Sequence, residues 1–459
     1  MRPRPVIAPC AAWRDPEAVF RQLFAGETRV VWLDSGPDAI RGTSVIGVGS
    51  RLVTQTVGAR ESVVTVDGAQ AEGSVFDFLR RELPRTERVP DDTPSGFTGG
   101  WVGWLGYGLL ADSTGLRGGI PSAHPDAALL FVDRVISFDH ARRRMSIVTP
   151  NDSESSRLWR REMRQSLESV TEGAAPAIEP PAPAGASWSL TDDQYLASIR
   201  ECQCAIVAGD AYQLCLTNEA TVDAHPDPVE TWLRLRTASP SHHGGFIRID
   251  DLALLSSSPE QFLTVSSGGI VESKPIKGTR PRGVDAADDA AQITQLVESE
   301  KERAENLMIV DLMRNDMGRV CEVGSVSVPA LFAVETYAQV HQLVSTVRGR
   351  LNAGFTAVDA VQSCFPAGSM TGAPKRSAIS ILARLEGRAR GVYSGVFGYF
   401  GVDGTVDLAM VIRSILLDGH RATIGAGGGI TALSVPEHEL DEVKIKAAAL
   451  LAVLGVRPQ

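Results

Sequence analysis

Residues Phe97–Gly108 read FTGGWVGWLGYG, five glycines threaded among Phe97, Trp101, Trp104 and Tyr107. Glycine weakens a strand and offers no side chain to pack, so such a run marks a strand that another backbone approaches closely. Short β-branched runs lie on either side: Arg29–Leu33 (RVVWL), Ser62–Val66 (SVVTV) and Met145–Thr149 (MSIVT), each suited to a pleated surface. Helical patterns at Pro16–Leu23 and Val75–Leu83 are interspersed. Further along, Thr191–Ala208 reads as an amphipathic helix and Tyr212–Thr217 as a strand, with Leu252–Ser256 and Glu260–Val265 a pair of strands. Ala286–Met313 reads as one long helix, with Asp288 and Asp289 near its start and Leu296, Leu307 and Leu312 at helical spacing. Glu437–Leu454 is a further helix. Many strands mixed with long helices predict an α/β (α+β) class. The segment Thr171–Ser187, TEGAAPAIEPPAPAGAS, is rich in Pro, Ala and Gly and reads as a linker between regions 1–170 and 188–459.

The 459 residues are 43% hydrophobic and 22% charged, ordinary globular proportions. A net charge of −10 with scattered Lys and Arg argues against a nucleic-acid surface, which needs a basic face. Cys202 and Cys204 have one residue between them rather than the two of a zinc knuckle, so the six cysteines read as reduced thiols of a cytoplasmic protein. Arg2 and Arg4 precede only a short, Pro-interrupted apolar stretch, unlike a signal peptide. Ala447–Val456 falls far short of the ~18 apolar residues a membrane span requires.

Several constellations carry chemistry. Glu302 and Glu305 lie three apart on a helical face, and Glu439 and Glu442 repeat that spacing with Lys446 one turn on. Together they would suit Mg²⁺, which takes carboxylate oxygens, although a single E-x-x-E is ordinarily a solvated face. Gly425–Ile430 (GAGGGI) follows the apolar strand Arg421–Ile424 and reads as a turn whose amides can hold an anion. Arg413 lies upstream in the strand-like run Leu408–Leu416, where a guanidinium beside a glycine nest suggests carboxylate recognition. Lys277, in KPIKGTRPRG, reads as a turn lysine: a nucleophile if its pKa is lowered, a surface lysine otherwise. Ser369 and Thr371 in PAGSMTGAPK could bind a ligand or cap a helix, and Arg314 and Arg319 could bind anions or pair with Asp316.

In order along the chain, KPIKGTRPRG, ESEKERAENLMIVDLMRND, SCFPAGSMTGAPK, GVYSGVFGYF, ATIGAGGGI and PEHELDEVKIK resemble the chorismate-utilising enzymes, and WLDSG and FTGGWVGWLGYG resemble the N-terminal half of the same fold. The resemblance implies a large two-part sandwich of antiparallel-rich sheets with helices outside and a deep central cleft. Residues 1–170 would form its N-terminal half and 188–459 its chorismate-binding catalytic region. It also implies Mg²⁺ held by Glu305 and Glu442, with Glu302 and Glu439 as water-linked partners. Arg413 and Tyr393 would hold the enolpyruvyl carboxylate beside the amides of Gly427, Gly428 and Gly429, with Gly278, Thr279, Ser369 and Lys446 also on the substrate. Glu260, in SPEQF, would be the acid that protonates the departing 4-hydroxyl, in a cleft that raises its pKa.

Two positions sort the family. Isochorismate- and salicylate-forming members use a lysine base where this chain has Gln213, and an amide cannot serve as a base. Among the ammonia-using members, anthranilate-forming enzymes read P-I-A-G-T, whereas those that aminate C4 to give 4-amino-4-deoxychorismate, precursor of p-aminobenzoate and folate, carry lysine where Lys277 stands. Lys277 would then attack ring C2. The chief departure is Gln342 where the family has His, with His341 one place earlier. The resemblance further implies ammonia delivered by a separate glutaminase subunit. A neighbouring anthranilate-forming enzyme and a non-catalytic binding paralogue are the competing readings.

Overall fold

The computed structural model describes residues 5–58, 62–83, 96–117, 119–171, 180–337 and 340–457. Residues 172–179 of the expected linker lie outside them. The described chain forms two 12-stranded sheets. The first runs, edge to edge, Val6–Pro9, Arg144–Thr149, Val135–Asp139, Thr43–Val48, Arg29–Asp34, His243–Ile249, Leu252–Ser258, Ser414–Leu417, Ala422–Ile430, Gln213–Val222 and Ala186–Trp188, with Gly372–Ala373 also on Gln213–Val222. The second runs Ile276–Pro281, Val340–Arg350, Ile270–Ser273, Gln261–Val265, Val406–Met410, Val396–Gly401, Gly100–Leu105, Ala127–Val132, Arg51–Val57, Ser62–Val66 and Ala69–Ala71, with Ser327–Thr336 also on Val340–Arg350. Neighbouring strands pair antiparallel, and each sheet mixes strands from before and after residue 180.

The sheets face each other across a core that includes Val31, Ile247 and Leu254 of the first and Trp104, Leu130 and Phe397 of the second. Helices Pro16–Leu23, Asp192–Val207, Pro228–Ala238 and Pro436–Val453 cover the outer face of the first, while Val75–Glu82, Glu300–Gly318 and Ala357–Cys364 cover the second. This is the expected α/β (α+β) sandwich of antiparallel sheets with helices outside. The glycine-aromatic stretch forms the central strand Gly100–Leu105, where a Cβ on Gly103 would collide with the carbonyl oxygen of Ala128 on the next strand.

Four expectations change. The segment Ala286–Met313 is two helices, Ala286–Glu298 and Glu300–Gly318, because Ser299 adopts φ −65°, ψ 106° and its side chain caps the second helix at the Glu302 N–H. GAGGGI is no turn: it continues the strand Ala422–Ile430 and pairs along its whole length with Gln213–Val222. Lys277 lies in the strand Ile276–Pro281, not a turn, at an irregularity where Gly278 takes φ +88°. The strands Leu252–Ser258 and Gln261–Val265 do not pair with each other; the chain passes from the first sheet to the second between them.

The run Leu408–Leu416 is likewise split, and the chain crosses back at residues 411–413. The two crossings lie side by side, since the Met410 N–H donates to the Glu260 carbonyl and the Ser257 N–H to that of Arg413, each at 3.0 Å. Arg413 needs φ +51° to make its turn, a left-handed conformation rare for a long side chain. Glu260 and Arg413 are thus delivered to the seam between the sheets by topology.

One buried ion pair ties the elements around this seam. Arg390 donates to Glu386 through Nε at 2.8 Å and Nη2 at 2.7 Å, to the carbonyls of Met370 at 2.6 Å and Cys215 at 2.8 Å, and lies over the Tyr107 ring at 4.4 Å. Glu386 in turn accepts from the backbone and hydroxyl of Thr217, both at 2.9 Å. Removing one partner leaves the other charge buried and uncompensated, so Arg390→Met should destabilise the fold by about 3–5 kcal/mol. Denaturant unfolding should show Glu386→Gln/Arg390→Met to be less damaging than the sum of the single changes.

Candidate active site

The helix Glu300–Gly318 is fastened at two points. Near its start, buried Asn306 donates to the carbonyls of Pro275 and Leu343 at 3.4 Å and accepts from Ser345 Oγ at 2.5 Å. This sets the preceding residue, Glu305, against the strand that carries Lys277, and Lys277 Nζ stands 3.7 Å from Glu305 Oε2. At the far end Lys375 Nζ donates to Asp316 Oδ2 at 2.5 Å and to the Cys364 carbonyl at 3.1 Å. That contact fixes the segment 365–375, whose single turn Gly368–Met370 holds Ser369 to hydrogen-bond Glu260. Asp316 also accepts from Arg319, so Arg319 pairs locally, as does Arg314 with Asp311.

The glycine strand forms the opposite wall. Ala422–Ile430 is paired with Ser414–Leu417 only at Thr423 and Ala422, which leaves its stretch from Gly425 onward without a strand neighbour on that edge among the described residues. Each glycine there has a particular tenant. A Cβ on Gly425 would strike the Tyr393 ring, one on Gly428 would sit 3.2 Å from Glu439 Oε2, and one on Gly429 would meet the Gln213 amide and come 3.4 Å from Lys277 Nζ. Lys446 Nζ donates to the Gly427 carbonyl at 2.9 Å and pairs with Glu442 at 2.6 Å. Gly278 has Glu302 Oε2 3.1 Å from where its Cβ would be.

The fold therefore gathers Lys277, Glu260, Ser369, Tyr393, Arg413, Lys446, the glycines and both glutamate pairs onto one cleft. Thr279 lies directly opposite Gln342 in the ladder of Ile276–Pro281 with Val340–Arg350. The shifted histidine does not substitute for Gln342. Alternation along the strand turns neighbours to opposite faces, and buried His341 is tied to Asp289 and Thr336, each at 2.9 Å.

Electrostatics follow from burial and from this crowding. Burial pushes Glu260 up to about 6, although Ser369, Lys277 and Lys446 pull against it. Burial also raises Glu305, with Glu302 and Glu439 adding to it and Lys277 and Lys301 opposing. For Glu442 the ammonium groups of Lys446, Lys301 and Lys277 outweigh burial and hold it below its ordinary value. Burial alone would lower Lys277, as a nucleophile requires; Glu305, Cys215, Glu260 and Glu442 reverse that, and the net direction is upward. Arg413 shifts down through burial, with Tyr393 and Glu442 partly offsetting, and its guanidinium makes no hydrogen bond or ion pair among the described residues. A cation left without an anion at a buried seam is what a carboxylate ligand would satisfy.

The carboxylates offer only oxygen donors, the chemistry of a hard divalent cation. They do not form a closed cage: no three His, Cys, Asp or Glu among the described residues are grouped to hold a metal ion. Each is instead matched with a basic side chain, Glu302 with Arg280 at 3.5 Å, Glu305 with Lys277 and Lys301, Glu439 with Lys301 and Glu442 with Lys446. The donor set fits a divalent cation once a basic group moves aside. Sequence reasoning missed Lys301 and the Glu386–Arg390 pair, because a lysine and an i,i+4 Glu–Arg spacing look the same on a solvated helix.

Because the folded pKa of Glu260 is raised above its unfolded value, its ionisation opposes folding: stability is complete below about pH 4 and diminishes as pH rises through about 6. Glu260→Gln removes that penalty. Relative to the parent, its melting temperature should rise between pH 4.5 and pH 7.5, by an amount on the order of 2 kcal/mol in stability. A constant difference across that range would contradict the shift.

The sequence profile described as chorismate binding enzyme matches residues 29–452. An aminodeoxychorismate synthase of Streptomyces griseus is 43% identical over 96% of this chain, which spans 63% of that relative's length. An aminodeoxychorismate synthase component 1 of Klebsiella aerogenes is 38% identical over 82% of this chain and 81% of its own. Among solved structures, anthranilate synthase component I from Streptococcus pneumoniae superposes with a TM-score of 0.78 at 28% identity, over 90% of this chain and 93% of its own. This match, over most of the chain, places it in the chorismate-binding enzyme family.

Proposed function

We propose that this chain aminates chorismate at C4 with ammonia, giving 4-amino-4-deoxychorismate. The observation that carries the reading is Lys277, held 3.7 Å from Glu305 and against Gly429 with only 15% of its side chain exposed, at the position that by the resemblance separates C4-aminating from anthranilate-forming members. The relatives named aminodeoxychorismate synthase support it. Arg413 and Tyr393 take the enolpyruvyl carboxylate, and the unpaired edge of Gly427–Gly429 supplies amides beside it. Glu260, poised near neutrality, gives its proton to the leaving 4-hydroxyl. Gln213, a neutral amide, is too weak a base to activate water. Ammonia comes from a glutaminase partner, and the enzyme works in the cytoplasm; no helix among the described residues is long and apolar enough to cross a membrane.

Glu305 and Glu442 hold Mg²⁺, with Glu302 and Glu439 behind them. Bound there, the ion would supply positive charge to the ring carboxylate. As a neutral amine, Lys277 bonds through Nζ to C2 while the C4–O bond breaks and the hydroxyl leaves as water with the Glu260 proton; ammonia then bonds to C4 as the Lys277–C2 bond breaks, and the proton it sheds returns to Glu260.

Chromatography after incubation with chorismate, Mg²⁺ and ammonium should show aminodeoxychorismate; anthranilate as the main product would place the chain with the C2-aminating members instead. Glu305→Gln and Glu442→Gln should each lower kcat/KM by about 100-fold or more at limiting Mg²⁺, beyond the range seen for groups that only support metal ligands. Intact-mass analysis without ammonia should reveal a chorismate-derived adduct on Lys277, absent from Lys277→Arg. An unmodified lysine, together with normal rate and product in Lys277→Arg, would leave no covalent role.

A further inference from the structure

Every glutamate of the proposed metal centre faces a basic group, so a divalent cation can enter only if one of them leaves. Three are poor candidates. Lys277 is enclosed against Gly429 and Glu305, with only 15% of its side chain exposed. Lys446 is anchored to the Gly427 carbonyl as well as to Glu442. Arg280 faces Glu302 alone of the four, 3.5 Å away, and also donates to the Thr279 carbonyl at 3.0 Å.

Lys301 differs on each count. Its Nζ lies 3.3 Å from Glu439 Oε1 and 3.9 Å from Glu305 Oε1, so one ammonium spans carboxylates from two different helices. Those carboxylates are 96% and 90% covered, whereas the Lys301 side chain is 47% exposed and can swing to water without unpacking anything. Among the described residues it makes no hydrogen bond or ion pair with any other group, although the charge of Glu442 also acts on it. Two buried carboxylates facing each other repel, and a cation between them lets the helices Glu300–Gly318 and Pro436–Val453 keep their approach.

We propose that Lys301 is a resident counter-ion, which holds Glu305 and Glu439 together before the divalent cation binds and is displaced by it. The inference rests on the Mg²⁺ reading of the site. Metal uptake then exchanges one ammonium for one divalent ion, so affinity is set partly by how readily Lys301 lets go. A neutral side chain at 301 removes the competitor and exposes the repulsion.

The test is Mn²⁺ binding, followed by electron paramagnetic resonance and calorimetry on the whole chain without substrate, for the parent, Lys301→Met and Lys301→Gln. Both variants should bind Mn²⁺ more tightly, by about fivefold or more, the scale of releasing two half-exposed ion pairs. Both should also melt lower than the parent without metal and regain more on adding Mg²⁺; Lys301→Arg should resemble the parent. Equal or weaker Mn²⁺ binding in folded Lys301→Met and Lys301→Gln would overturn the counter-ion role while leaving the metal centre standing. A parent that takes up no Mn²⁺ at millimolar concentration would overturn the metal centre and this inference with it.

Discussion

The geometry of the cleft depends on a guanidinium and a carboxylate that never reach it. Arg390 and Glu386 are both fully enclosed, and their bonds run to the carbonyls of Met370 and Cys215 and to Thr217. Met370 neighbours Ser369, Cys215 and Thr217 belong to the strand that pairs the glycine wall, and Arg390 leads directly into Tyr393. A buried ion pair of this kind contributes little net stability compared with apolar packing, but it tolerates no displacement once formed. Its value here is positional: three segments distant in sequence are held in register by one fork of donors.

Within that frame the cleft solves a problem of charge. Four glutamates and an acid residue are brought into a low-dielectric seam, where ionised carboxylates are costly unless matched. The matching is done by lysines and an arginine. Hence Glu442 is held below its ordinary pKa and Lys277 above its own. Glu260 stands apart: it is buried where Glu442 is about half exposed, and burial pushes it to about 6. Neighbouring carboxylates are thereby tuned in opposite directions, Glu442 downward and Glu260 and Glu305 upward. Arg413 is the complementary case, a cation left for a ligand's anion.

The glycines of Gly425–Gly429 illustrate how backbone and site are joined. At each, another group stands where a side chain would begin: the Tyr393 ring at Gly425, the Leu216 carbonyl at Gly427, Glu439 at Gly428, and Gln213 and Lys277 at Gly429. The strand leaves its neighbour Ser414–Leu417 at just the point where the glycines begin, so the same residues supply close approach and an unpaired edge.

The sequence by itself determined most of the strand and helix content, the glycine-aromatic strand Gly100–Leu105, and the motifs that carry the family. These were legible because they rest on local chemistry: β-branched runs, helical spacing, and residue types tied to motifs of the family. Tertiary structure alone decided that Glu260 and Arg413 sit at adjacent crossings between the sheets, that GAGGGI is a strand edge rather than a turn, and that Ser299 breaks one long helix into two. It also decided that Lys277 is held charged rather than lowered, and that Lys301 spans two helices. The reason is physical. Periodicity reports which face of an element is apolar, whereas pKa, pairing and register are set by groups tens to hundreds of residues away, whose distances no local pattern encodes.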